Sequence, residues 1–117
     1  MDKTIIYKLC KASYNLYVQD YKEMLMEDGD YNEYSLSVII NDNLIDKNFT
    51  TDEIKAITDK DFSNYDIMCK FIAYVMSLNN SYETIEQLNK SITELFGFML
   101  DQDDLEHIIA KYNEFDF

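Results

Sequence analysis

Residues 64–79 read NYDIMCKFIAYVMSLN, and the reading of this stretch decides the fold. On a helical wheel its apolar side chains (Tyr65, Ile67, Met68, Phe71, Ile72, Tyr74, Val75, Met76 and Leu78) cover more than half of the circumference. A helix at the surface of a globular protein keeps one polar face, so a helix this apolar must be wrapped by others. The spacing predicts a buried central helix from about residue 64 to 78, with Ser63 and Asp66 as a weak cap.

The flanking sequence supplies the wrapping helices. Upstream, Ile6, Cys10, Tyr14, Tyr17, Tyr21 and Met24 recur every three or four residues, the signature of a core face on a first helix over residues 3–27. Gly29 in the acidic turn EDGD (27–30) is placed to end it as a C′ residue. The longer stretch EDGDYNEYS (27–35) lacks the glycine position and the twelfth-place Glu of a calcium loop, and reads as a solvated turn. A second helix over 34–45 turns Leu36, Ile39, Ile40 and Leu44 inward. Thr50 and Glu53 form a capping box for a short third helix with Ile54 and Ile57 inside.

Downstream, Asn80 and Glu83 suggest the start of a fifth helix over 81–100, with Ile85, Leu88, Ile92, Leu95, Phe96 and Met99 facing in. Asp101 and Asp104 mark the start of a last helix, since carboxylates favour the positive end of the helix dipole. Leu105, Ile108, Ile109 and Tyr112 form its stripe. The expectation is all-α: one domain over residues 1–117, a bundle of six to seven helices around a central buried helix.

Composition agrees. The chain has 2 Gly and no Pro, too few for the turns of β folds or for phosphate-binding loops, while 47% hydrophobic content excludes a disordered acidic tail. With 10 basic against 23 acidic residues the net charge is −13, which excludes nucleic acid and anionic membrane as partners, because a binder must supply Lys and Arg. MDKTIIYKLCK (1–11) is broken by lysines and is no secretory leader, and no run of 18 apolar residues offers stable membrane insertion. Cys10 and Cys69 fall on apolar faces and read as reduced, buried thiols of an intracellular protein, which leaves the sequons at Asn48, Asn79 and Asn89 idle.

No set of residues announces chemistry. The single histidine, His107, lies opposite Leu105, Ile109 and Tyr112 and is expected to face water, away from either cysteine. No CxxC or HExxH spacing offers a metal site, and nothing points to a cofactor. The expectation is a protein that is not an enzyme.

Contact surface is the remaining signal. Ile5, Leu9, Ala12 and Leu16 form a second apolar stripe on the first helix, either sandwiched within the domain or shared with a partner. Within SITELFGFMLDQDDLEHII (91–109), Gly97 projects to the polar side near Thr93, and Phe98 points away from the core stripe. Gly costs about 1 kcal/mol in a helix interior relative to Ala. Gly97 therefore marks either a fraying helix end or a place where another element comes close.

The order of elements resembles a family. A short acidic helical chain, the EDGD turn, the central helix IMCKFIAYVMSL (67–78) and the closing pair of helices from Ser91 to Tyr112 look like the poxvirus Bcl-2-like proteins. The resemblance implies a Bcl-2-like fold and a non-enzymatic virulence factor in the host cell cytoplasm. Such a factor binds host signalling or pro-apoptotic proteins and modulates innate signalling towards NF-κB or apoptosis. It also implies a homodimer formed through faces of the first and fifth helices here, which puts the candidate interface at Ile5, Leu9, Ala12 and Leu16 on one helix and at Thr93, Gly97 and Phe98 on the other. The chain has no Trp, so it lacks the Asn-Trp-Gly-Arg signature of cellular relatives, and signalling suppression is expected ahead of apoptosis inhibition. The strong negative charge supports an alternative: an acidic nucleic-acid mimic, phage or viral, that blocks a basic nucleic-acid-binding protein.

Overall fold

Six α-helices follow one another in the computed structural model, which describes residues 3–115: α1 (Thr4–Glu27), α2 (Glu33–Asp46), α3 (Thr51–Thr58), α4 (Tyr65–Asn79), α5 (Ile85–Phe96) and α6 (Gln102–Glu114). Among the described residues there is no strand, and no helix is long and apolar enough to cross a membrane. Within the span the chain forms two compact units. The first contains the chain up to Ser13 and from Phe62 onward; the second is Tyr14–Asp61. The boundary falls inside α1.

In the first unit α4 packs against α6, and α5 also packs against α6. Met68, Cys69 and the whole run Phe71, Ile72, Ala73, Tyr74, Val75 and Met76 are buried, as the wheel demands. Asn64, rather than Ser63, caps α4: its side chain accepts from the Ile67 N–H. An amide oxygen one residue closer to the first turn is the better-placed acceptor for an N3 donor. Ile6, Leu9, Cys10 and Ser13 of α1 are buried, as are Leu88, Ile92, Leu105 and Ile108.

In the second unit α2 packs against α3. The Thr50–Glu53 capping box forms in both directions, at 3.2 and 2.8 Å. Tyr17, Leu25, Ile40, Leu44, Phe49, Ile54 and Ile57 are buried. Gly29 ends α1 with φ 74°, and Asp30 N–H reaches Leu25 O while Gly29 N–H reaches Met26 O. Those two bonds make a Schellman motif, which needs a left-handed residue at this position. Asn48 (φ 64°) closes α2 in the same way, with Phe49 N–H on Leu44 O.

The structure corrects the sequence reading in three places. On α1 the buried face is rotated towards Leu9 and Ser13, so Met24 is exposed and Tyr14 and Tyr21 are only half-buried. α5 starts four residues later than Asn80 and Glu83 suggest. Its N-cap is Thr84, in a capping box with Gln87. It also stops at Phe96, because Gly97 adopts φ 75° and donates to Thr93 O at 2.9 Å. Beyond that point the helical phase is lost, so Met99, expected inside, is 80% exposed.

Candidate functional site

Thr93, Gly97 and Phe98 are brought together by the end of α5. Thr93 O accepts the Gly97 N–H, and Thr93 Oγ1 donates to Phe98 O at 3.4 Å. These three residues form a helix stop. A Cβ added to Gly97 would meet nothing of its own chain within 4 Å, and its φ of 75° is the left-handed conformation that favours glycine. Thr93 is exposed and Phe98 half-buried.

The other half of the candidate interface divides. Ile5 is 42% exposed, Ala12 and Leu16 are half-buried, and Leu9 is fully buried. Leu9 is therefore a core residue of the first unit and presents nothing to a partner. Of the stripe, only Ile5 stands clear of the surface, with Tyr7 exposed near it in sequence.

Sequence reasoning missed a polar cluster in the first unit. The Tyr65 hydroxyl, at the first turn of α4, donates to Asp104 Oδ1 at 2.5 Å, and Asp104 is 5% exposed. Asp104 sits in the first turn of α6, where the helix dipole favours a carboxylate, and its own N–H is bound by the N-cap Asp101 at 2.9 Å. Lys3 Nζ lies 3.4 Å from the centre of the Tyr65 ring, and His107 meets the ring edge-on at 5.1 Å. Burial, reinforced by the bond to Asp104, raises the Tyr65 phenol above its ordinary value. Burial likewise lifts the Cys69 thiol to about 11, with the Tyr65 hydroxyl pulling it down, and raises Cys10 further.

Burial thus favours the protonated form of both thiols. His107 is exposed, and its Nδ1 lies 3.0 Å from Asp103 O. Among the described residues no three His, Cys, Asp or Glu side chains gather to hold a metal. The Tyr65–Asp104 bond joins the N-terminal ends of α4 and α6. Tyr65 and Cys69 share a helix face by their spacing of four, which the sequence displays. The pairing of Tyr65 with Asp104 joins residues 39 apart in the chain and depends on how the helices pack.

Two concavities lie at the surface of the described residues. In the first unit a cavity of about 210 Å³ lies between the end of α4 and α5, lined by Met76, Asn79, Tyr82, Ser91, Glu94 and Leu95 among others. Tyr82 is 5% exposed, and its hydroxyl is sealed from solvent. Burial raises its phenol, and the nearby Ser91 hydroxyl acts in the opposite direction. In the second unit a cleft of about 640 Å³ runs between the end of α1 and α2. Its walls include Leu25, Tyr31, Tyr34, Val38 and Ile39, and Tyr34 is 79% exposed. Met24, Met26 and Ile45 are exposed in the same unit. Acidic side chains (Glu27, Asp28, Asp30 and Glu33) surround the turn at this cleft in sequence, all exposed. Comparison of the chain with protein-family models, curated proteins and solved structures gave no match.

Proposed function

We propose that the chain is a non-enzymatic protein-binding module that modulates host innate signalling towards NF-κB, or apoptosis, in the manner of the poxvirus Bcl-2-like proteins it resembles. It acts in the host cell cytoplasm and self-associates. The observation that carries the protein-binding reading is the exposed apolar and aromatic surface of α2 and the end of α1. Tyr34, Val38, Ile45, Met24 and Met26 stand out of an otherwise strongly acidic chain. Of these, Tyr34 and Val38 line the cleft between the end of α1 and α2; exposed apolar side chains beside a cleft are characteristic of contact surfaces, and Tyr adds large contact area with a polar tip. The buried α4 and the six-helix order support the resemblance at the level of architecture.

The test is affinity capture from host cells, comparing wild type with a Tyr34→Glu, Val38→Glu double variant. Recovery of signalling adaptors, kinase-complex components or pro-apoptotic proteins, lost in the variant, supports the proposal. Recovery of nucleic-acid enzymes instead, released by salt and indifferent to the variant, sinks it in favour of the acidic mimic. Self-association is read by light scattering with Ile5→Glu. A wild type that is monomeric at micromolar concentration removes the homodimer. Leu9→Glu is unsuitable here, because a buried charge at Leu9 would unfold the chain.

A further inference from the structure

We propose that the cavity between the end of α4 and α5 binds an alkyl-guanidinium group. Its capacity, about 210 Å³, is below the roughly 300 Å³ at which ligand pockets usually begin, and suits one long side chain rather than a nucleotide or cofactor. Its polar lining is rich in acceptors. Glu94 brings a carboxylate. Asn79 donates its Nδ2 to Val75 O at 3.0 Å, which leaves its amide oxygen as the acceptor. The C-terminal end of α4 carries partial negative charge from the helix dipole, and no basic side chain lies in its last turn.

Tyr82 and Ser91 add two hydroxyls to the lining. No Lys, Arg or His lines the cavity, so no cationic side chain there balances the charge of an anion. Met76 and Leu95 supply apolar wall for a methylene stem. A guanidinium spreads five donors over a plane and reaches separated acceptors together, where an ammonium concentrates its charge at one point. Arginine of a partner protein and a free alkyl-guanidine share this chemistry. The site adds to the protein-binding reading without depending on it.

The test is a titration of the full ¹⁵N-labelled chain with agmatine and, separately, with N-acetyl-arginine methylamide. Saturable shifts are expected at the amides of Asn79, Tyr82, Ser91 and Leu95. Glu94→Gln should weaken them about threefold or more, the scale of one exposed charge pair. Glu106→Gln removes the same charge from an exposed position on α6 and should leave affinity unchanged. Both residues are exposed, so both variants fold. Tighter binding of the arginine amide assigns the group to a partner chain, and equal or tighter binding of agmatine assigns it to a free guanidine. Absence of saturable shifts with both probes overturns the proposal. So does an equal loss in the two variants, which would indicate general condensation of cations on a chain of net charge −13. Neither result touches the α2 surface, which is read by other variants.

Discussion

α4 and α2 are both rich in apolar side chains, yet the two helices meet opposite fates. α4 buries an unbroken run from Phe71 to Met76, whereas α2 buries only Ile40 and Leu44 and exposes Tyr34, Val38 and Ile45. Their units differ in kind as well. The first contains a buried polar pair, Tyr65 with Asp104, that joins two helix ends; the second contains an apolar cleft. The difference teaches that apolar content alone does not decide burial. What decides it is how many sides of a helix its neighbours cover, and apolar surface left uncovered is available for contact.

The strongest attempt to break this comparison sets Phe71→Ala against Tyr34→Ala. Phe71→Ala should cost about 3–5 kcal/mol, lost transfer energy plus cavity. Tyr34→Ala should change stability by no more than about 0.5 kcal/mol, as for an ordinary surface position. Urea denaturation measures both, and equal costs would end the distinction. Next in size is Tyr65→Phe, which leaves the buried Asp104 carboxyl without its donor, at a cost of about 1–3 kcal/mol by the same assay. A neutral result would show that the pair does not hold α4 to α6.

Gly97→Ala sharpens the comparison at a helix end. If Gly97 lay inside a helix, Ala would stabilise the protein by about 1 kcal/mol. At φ 75° Ala should instead destabilise it by about 1–2 kcal/mol, so the sign of the change decides. The smallest effect is a pH slope. The Cys69 thiol loses its proton near 9.0 when unfolded and near about 11 when folded. Above the unfolded value the unfolded state therefore holds fewer protons, and stability falls as pH rises, while below it the contribution is complete. Tyr65 and Cys10 are raised in the same direction. Denaturation midpoints should decline from about pH 9 towards pH 11, less steeply in Cys69→Ala; a flat profile would place these groups in water.

The starts of α3 and α6 were legible in the residues because a cap is a local bond. Thr50 with Glu53 and Asp101 with Asp104 need only the next turn to act. Gly97 is legible as an anomaly that marks a helix end or a close approach, but the end itself is placed at about residue 100, since periodicity continues through FGFML whether or not the backbone does. The start of α5 was misplaced for a related reason: Asn80 and Thr84 both carry capping side chains, and local chemistry does not choose between them. Of the candidate interface, the sequence identified a second stripe on α1 but not that Leu9 belongs to the core. A wheel gives angles around one helix and says nothing of which neighbours lie across from it.

By itself, then, the amino-acid sequence determined the all-helical character, the buried status of α4 and the ends that are closed by Thr50, Asp101 and Gly29. These follow from side-chain period, composition and hydrogen bonds spanning a few residues. Only the tertiary structure decided that Asp104 meets Tyr65, that Tyr82, Ser91 and Glu94 line one cavity, and that Tyr34 is left in solvent. Each of those depends on the packing of elements distant in the chain, where the same residue types satisfy many arrangements locally and one arrangement globally.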